Sequence, residues 1–154
     1  MFASRVLSRA PLLVLTLSLL PAAHAADLRG SAVVAADGTY LGSCSGMSDP
    51  SSVANPYGPY GNAYRQESLF NPYGPYGNPY GPYSAANALT MNAPYLLPPA
   101  HPLLRTVSQP GYNENPRAKA RVAEGLAGGS LQRVSANIRL PKAVSPQDLR
   151  EACQ

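Results

Sequence analysis

A tandem repeat at the centre of the chain constrains its fold more than any other feature. Two identical octets, Asn-Pro-Tyr-Gly-Pro-Tyr-Gly-Asn, occupy residues 55–62 and 71–78, which sets a period of 16 residues. Ser52, Ser68 and Ser84 mark successive copies, and the third copy has diverged after Asn87. Because proline and glycine recur every few residues here, a regular helix cannot run through this segment.

Each octet predicts two linked tight turns. Asn-Pro-Tyr-Gly has the residue preferences of a type I turn, and Gly-Pro-Tyr-Gly restarts the same geometry three residues later. The Asn and Ser side chains are expected to cap these turns. Tyr57 and Tyr60, like Tyr73 and Tyr76, lie three residues apart, so we expect their rings to form an aromatic row.

Three roles are open for these tyrosines. The rings can pack against each other as structure, or they can contact sugar rings or peptides of the cell envelope. The segment can also be a flexible, self-associating tract of low complexity. The candidate binding residues are Tyr57, Tyr60, Tyr73 and Tyr76.

The N-terminus predicts export. Arg5 and Arg9 precede an apolar run over residues 12–20, and Ala23-His24-Ala25 supplies a small-residue cleavage pattern. We therefore predict a signal peptide over residues 1–25, cleaved between Ala25 and Ala26. The alternative, a membrane anchor, needs about 20 apolar residues, and the run over residues 12–20 is about half that length. No stable membrane span is therefore expected after cleavage. The predicted location is the periplasm or the medium.

Composition favours a small fold. The chain has 154 residues, of which 17 are Pro and 13 are Gly, and Leu, Ile, Val and Phe are scarce after the signal peptide. We predict a small β-rich, loop-dominated domain with tandem turn repeats and a short C-terminal helix. The alternative is a largely disordered chain.

The cysteines can staple such a domain. Cys44 and Cys153 are the only two in the chain, and thiols in an oxidising compartment usually pair. The alternatives are an intermolecular bridge or two free thiols. An intramolecular bond would close a loop long enough to contribute about 4–5 kcal/mol. No metal site or cofactor is predicted, because these cysteines and His101 lie far apart in sequence.

Local signals divide the remaining chain. Residues 26–51 predict a β-hairpin with a two-residue type I′ turn at Asp37-Gly38. The repeats occupy residues 52–93. Residues 94–113 form a Pro-rich connector in which no helix is expected.

Residues 114–154 predict a helix–strand–helix segment. Asn115 is a candidate N-cap for a helix that Gly125 closes, and the alternation over residues 134–140 predicts a half-buried strand. Ser145 is the N-cap of a last helix over residues 146–152.

No motif indicates an enzyme. No Gly-x-Ser-x-Gly pattern surrounds any serine. The alternative, a small periplasmic hydrolase, would use His101 activated by Asp37, Asp49 or Asp148. Because the net charge is small and the sequence contains no recognised nucleic-acid-binding motif, no nucleic-acid partner is predicted.

The repeat register, Ser-x-x-Asn-x-Tyr-Gly-x-Tyr-Gly, follows Gly38-Thr39-Tyr40-Leu41-Gly42. It resembles an uncharacterised family of small exported bacterial proteins. Asn62 and Asn78 stand where that family has serine. The resemblance implies export and repetition, and no activity. We therefore expect a non-enzymatic structural or interaction module of the cell envelope, whose partner is a polysaccharide or a protein.

Overall fold

The computed structural model describes residues 27–137, 139–140 and 142–154, so the predicted signal peptide and its cleavage site lie outside the described residues. Five short strands form one mixed sheet: β1 (Ala32–Val34), β2 (Tyr40–Ser43), β3 (Tyr95–Leu97), β4 (Gln132–Val134) and β5 (Ala143–Val144). Their order is β2-β1-β3-β4-β5, and only β4 and β5 pair in parallel. The expectation of a small β-rich domain is confirmed.

Three helices accompany the sheet: α1 (Leu104–Val107), α2 (Pro116–Ala127) and α3 (Pro146–Ala152). Successive residues of the central strands face opposite sides of the sheet, as the pleat of a strand requires. One side packs against a buried residue from each repeat copy, Val53, Leu69 and Ala85. The other side packs against Val107, Val122 and Leu126. The sheet thus lies between a repeat layer, residues 52–93, and a helix layer, residues 104–127.

β1 and β2 form the predicted hairpin, but its turn is not of type I′. The N–H of Gly38 donates to the C=O of Ala35 at 2.9 Å, and the N–H of Ala35 donates to the C=O of Thr39 at 2.8 Å. Within this loop only Gly38 has a positive φ, 85°, which is the geometry of a type I turn followed by a left-handed glycine. The Oδ1 of Asp37 accepts the N–H of Thr39 at 2.9 Å, which stabilises this wider turn.

The Pro-rich connector contains more regular structure than predicted. Residues 95–97 are β3, the strand that lies between β1 and β4. Residues 104–107 form α1, which contradicts the expectation of no helix. Pro102 precedes this segment and the next proline is Pro110, so one helical turn meets no backbone obstacle. That turn buries Val107.

Helix α2 begins as predicted and ends later. The Oδ1 of Asn115 accepts the N–H of Ala118 at 3.0 Å, as an N-cap does. The helix passes through Gly125 and reaches its C-cap at Gly128. The extra turn buries Leu126 completely. This burial outweighs the roughly 1 kcal/mol that glycine costs inside a helix.

The strand predicted over residues 134–140 is wrong for the described residues after Val134, because β4 ends there and residues 135–137 and 139–140 lie outside any strand. The Oγ of Ser135 accepts the N–H of Asn137 at 2.9 Å, and the Oδ1 of Asn137 accepts the N–H of Arg139 at 3.0 Å. Bonds from side chain to nearby backbone compete with a β-ladder, so they end the strand.

The C-terminal helix and the disulfide are confirmed. The Oγ of Ser145 accepts the N–H of Asp148 at 3.1 Å and caps α3, which spans the predicted residues. Cys153 at its C-cap is bonded to Cys44, 109 positions earlier in the sequence. Both cysteines are buried on the side of the sheet that the repeat layer covers.

Candidate functional site

The repeat layer is a chain of tight turns. The N–H of Asn71 donates to the C=O of Ser68, and the N–H of Gly74 donates to the C=O of Asn71, so consecutive turns share a residue. The same bond joins Asn55 to Ser52 and Asn87 to Ser84. Identical backbone bonds therefore recur at the period of the sequence.

Serine and asparagine side chains complete these turns in the same way in every copy. The serine Oγ accepts the N–H two residues later at 3.0–3.1 Å in Ser52, Ser68 and Ser84. The asparagine Nδ2 donates to the C=O six residues earlier at 2.9–3.1 Å in Asn55, Asn71 and Asn87. The three serines are completely buried, so these bonds satisfy groups that water cannot reach. The predicted capping role of both residue types is confirmed.

The second turn of the second octet differs from the prediction. After the bond from Gly74 to Asn71, the N–H of Asn78 donates to the C=O of Gly74, four residues earlier, at 3.1 Å. Gly77 lies directly against the backbone of Asn71, where an added Cβ would collide with the carbonyl oxygen. The close approach of two backbone segments therefore replaces a second type I turn.

Four tyrosine rings project from the repeat layer into solvent. Tyr57, Tyr64, Tyr73 and Tyr80 are 88–92% exposed. Each stands two residues after an asparagine whose Oδ1 accepts the tyrosine N–H at 2.8–3.0 Å. These bonds fix the backbone of each tyrosine at the corner of a turn and leave its ring free.

The other two candidate tyrosines face the interior. Tyr76 is 8% exposed, and its hydroxyl donates to the Oδ2 of Asp37 at 2.9 Å. Tyr60 is half-buried, and its ring meets that of Tyr40 edge to face with 5.1 Å between centroids. Burial raises the pKa of Tyr60 and of Tyr76 to about 12. These two rings join the repeat layer to the hairpin.

The predicted aromatic row therefore divides into two sets. Tyr57 and Tyr73 are exposed, whereas Tyr60 and Tyr76 pack inward. Sequence reasoning missed the exposed Tyr64 and Tyr80. A local signal separates the sets, because every strongly exposed tyrosine belongs to an Asn-x-Tyr triplet and both inward tyrosines follow Gly-Pro.

Helix α3 anchors the inner side of the repeat layer. The guanidinium of Arg150 lies 3.5 Å from the ring centroid of Phe70 and donates to the carbonyl oxygen of Gly61. Burial lowers the pKa of Arg150. This contact and the disulfide between Cys44 and Cys153 attach the repeat layer to the rest of the domain. The exposed rings are thus carried by an anchored layer.

The alternative catalytic residue, His101, is half-buried in the connector. Its Nδ1 accepts the N–H of Leu103 at 3.2 Å. In a Ser-His-Asp triad the Nδ1 carries the proton and donates it to the carboxylate. The orientation of His101 therefore differs from that of a triad histidine.

Within the described ranges, no group of three or more His, Cys, Asp or Glu residues is placed to hold a metal ion. None of the helices in this part of the chain is long and apolar enough to cross a membrane. Comparisons with protein-family models, with curated proteins and with solved structures found no match.

Proposed function

We propose that this protein is an exported, non-enzymatic interaction module of the cell envelope that binds a polysaccharide through Tyr57, Tyr64, Tyr73 and Tyr80. The observation that carries this proposal is the 88–92% exposure of four rings whose backbones are held by hydrogen bonds. Aromatic side chains bury a large area when they find a partner. Four rings displayed on one ordered layer therefore suit a contact surface.

The charge of the repeat layer favours a neutral, hydroxyl-rich ligand. Between positions 55 and 83 the only charged residues are Arg65 and Glu67. A polyanion is bound mainly through many basic groups, which this surface lacks. A tyrosine offers an apolar ring face and a hydroxyl together, and a sugar ring offers apolar C–H faces bordered by hydroxyls.

The repetition favours a polymer over a single sugar. Tyr73 and Tyr80 occupy the same places in the second copy as Tyr57 and Tyr64 in the first. A chain of repeated sugar units can contact several rings at once, and linked contacts raise the overall affinity well above that of each one. Backbones already ordered by turns lower the entropy lost on binding.

Two features support export. The sequence begins with the predicted signal peptide, and the domain contains a buried disulfide between Cys44 and Cys153, a bond typical of oxidising compartments.

The test is co-sedimentation of the exported protein with two insoluble polymers, peptidoglycan sacculi and cellulose. We expect at least one polymer to retain the protein. Replacing Tyr57, Tyr64, Tyr73 and Tyr80 together by alanine should lower the affinity at least about tenfold, since several linked contacts are lost. The melting temperature should change little, because the rings touch few neighbours.

A matched control removes exposed apolar groups outside the proposed surface. Met47→Ala with Met91→Ala changes side chains that are 53% and 62% exposed, and retention should be unchanged. The proposal is contradicted if neither polymer retains the protein, or if the tyrosine variant is retained as well as the wild type.

Leu89 offers a gain of binding. It occupies the position of Tyr73 in the third copy, it is 82% exposed, and its N–H is bonded to the Oδ1 of Asn87 at 2.9 Å. Leu89→Tyr would therefore add a fifth displayed ring. We expect stronger retention, and a folded variant with unchanged retention would argue against a surface built from equivalent copies.

A further inference from the structure

The repeat layer has a structural period of eight residues, half the period of its sequence. A buried residue recurs at every eighth position along it, in the order Val53, Gly61, Leu69, Gly77 and Ala85. The sequence does not show this shorter period, because residues 52–59 and 60–67, the two halves of the first copy, differ at every position. Each copy therefore forms two coils of the chain, and each coil returns once to the buried side of the layer.

Successive coils touch through their backbones. A Cβ added to Gly61 would lie 2.8 Å from the carbonyl oxygen of Val53, and one added to Gly77 would lie 2.8 Å from that of Leu69. Each glycine is eight positions after the residue that it touches, so the contact joins equivalent points of neighbouring coils. A side chain at either glycine would keep the coils apart, which is why glycine occupies both positions. The coils therefore stack in sequence order along one axis.

One strongly exposed tyrosine stands on each coil. Tyr57, Tyr64, Tyr73 and Tyr80 are separated by 7, 9 and 7 positions, which is one coil to within one residue. Positions one coil apart are neighbours in a stack, so the four rings form a single row in the order of the sequence, here called the exposed row. Leu89 follows nine positions after Tyr80 and is 82% exposed, so it continues the row on the next coil.

The exposed row favours a long ligand over a short one. Small-molecule sites enclose roughly 70–90% of their ligand, whereas these four rings are 88–92% exposed. A disaccharide would contact one or two rings and bury little area. A chain extended along the row reaches all four, and each linked contact raises the overall affinity.

The width of the row favours one chain over the face of a packed polymer. Each coil contributes one strongly exposed ring, so the rings follow one another along the stack and do not spread across it. A packed polymer presents several chains side by side, and only one of them could follow such a row.

We propose that the ligand is a single extended polysaccharide chain that lies along the exposed row and contacts consecutive rings from Tyr57 to Tyr80, a proposal that rests on the function proposed above. The ring faces pack against successive sugar units, and the hydroxyls at their edges meet the sugar hydroxyls, since a tyrosine offers both. The direction of the ligand chain is the direction in which the coils stack.

The test is displacement of the exported protein from the insoluble polymer that retains it. Cellohexaose and cellobiose are the competitors for cellulose. Chitohexaose and chitobiose are the competitors for sacculi, whose glycan strands contain N-acetylglucosamine. At equal concentrations of sugar units, the hexasaccharide should compete at least about tenfold more strongly than the disaccharide, because it links more rings.

Four double variants that each lose two rings test the row itself. Tyr57→Ala with Tyr64→Ala, and Tyr73→Ala with Tyr80→Ala, leave two rings on consecutive coils. Tyr57→Ala with Tyr73→Ala, and Tyr64→Ala with Tyr80→Ala, leave two rings separated by an empty coil. The effective concentration of a second contact falls with roughly the 3/2 power of the separation, so variants with consecutive rings should bind the hexasaccharide about threefold more tightly.

The outcomes separate this proposal from the function on which it rests. If the polymer retains the protein but the disaccharide competes as well as the hexasaccharide, or neither competes, polysaccharide binding stands and the single chain is wrong. If the variants with separated rings bind as tightly as those with consecutive rings, the tyrosines do not act as one row. If neither polymer retains the protein, both proposals are wrong.

Discussion

The repeat layer and the helix layer both bury apolar residues against the sheet, but they satisfy their backbones differently. In the helix layer, regular hydrogen bonds of α2 carry Val122 and Leu126 on one face. Between β2 and β3 the described chain contains no further helix or strand, and tight turns with serine and asparagine side chains satisfy the backbone instead. A segment poor in apolar residues can thus form an ordered layer when its polar side chains bond its own backbone.

The outward surfaces of the two layers differ as well. The exposed face of α2 carries charged residues, among them Arg117, Arg121 and Glu124. The repeat layer presents tyrosine rings. A turn with fixed backbone bonds can display a large ring at its corner without burying it, which is how this chain keeps an aromatic surface in solvent.

Removing the disulfide should have the largest effect. Cys44→Ser with Cys153→Ser frees the end of β2 from α3, and both residues lie in the core on the repeat side. The chain-entropy model gives a loss of about 4–5 kcal/mol for a loop of this length. Urea denaturation measures the free energy of unfolding. Reductant should destabilise the wild type and leave the double variant unaffected, and an unchanged urea midpoint in the variant contradicts this prediction.

Asparagine side chains should matter more in the repeat layer than in the helix layer. Asn71 is 7% exposed and serves the C=O of Arg65 and the N–H of Tyr73. Asn71→Ala leaves both groups without this partner and should cost about 1–3 kcal/mol. Asn115→Ala removes one exposed N-cap bond of α2 and should cost about 1 kcal/mol.

The same denaturation experiment checks this pair. Asn71→Ser is the matched control, because a serine Oγ can accept the N–H of Tyr73, as the repeat serines accept the N–H two residues later, but is too short to donate to the C=O of Arg65. Its loss of stability should therefore be smaller than that of Asn71→Ala. If Asn71→Ala costs no more than Asn115→Ala, the contrast between the two layers is wrong.

Alkaline pH should reveal the inward tyrosines. Burial raises the pKa of Tyr60, Tyr76 and Tyr112 to about 12, against 10.0 for an ordinary tyrosine. From pH 10 to 12 the unfolded chain loses protons that the folded chain keeps, so stability falls as the pH rises through this window.

The melting temperature across that window measures the effect. Tyr60→Phe keeps the ring and removes one titrating group, so its melting temperature should fall less steeply than that of the wild type. A wild-type melting temperature that stays constant from pH 10 to 12 would contradict this prediction.

Features set by neighbouring residues were predictable. The caps at Asn115 and Ser145 and the hairpin around Gly38 depend on side chains within a few positions of the bonds they make. The pairing of Cys44 with Cys153 was predicted from the presence of two cysteines and from the predicted signal peptide. Features that depend on distant packing were missed, such as α1 in the connector and the extension of α2 past Gly125.

The tyrosines show where local information ends. The Asn-x-Tyr triplets contain enough to place Tyr64 and Tyr80 at exposed corners, because the bond that holds each backbone lies within the triplet. The inward position of Tyr76 depends on Asp37, which is 39 residues away. The Gly-Pro-Tyr pattern marks that ring as different from the exposed ones, but its partner is set only when the hairpin packs against the repeat layer.

The sequence by itself determined the serine and asparagine caps, the start of the capped helices and the spacing of the repeats, because bonds within a few residues decide each of these. Only the tertiary structure decided that Tyr76 packs against Asp37, that α1 forms in the connector and that α2 continues past Gly125. The physical reason is burial, which depends on what lies above a residue in space and not on its neighbours along the chain.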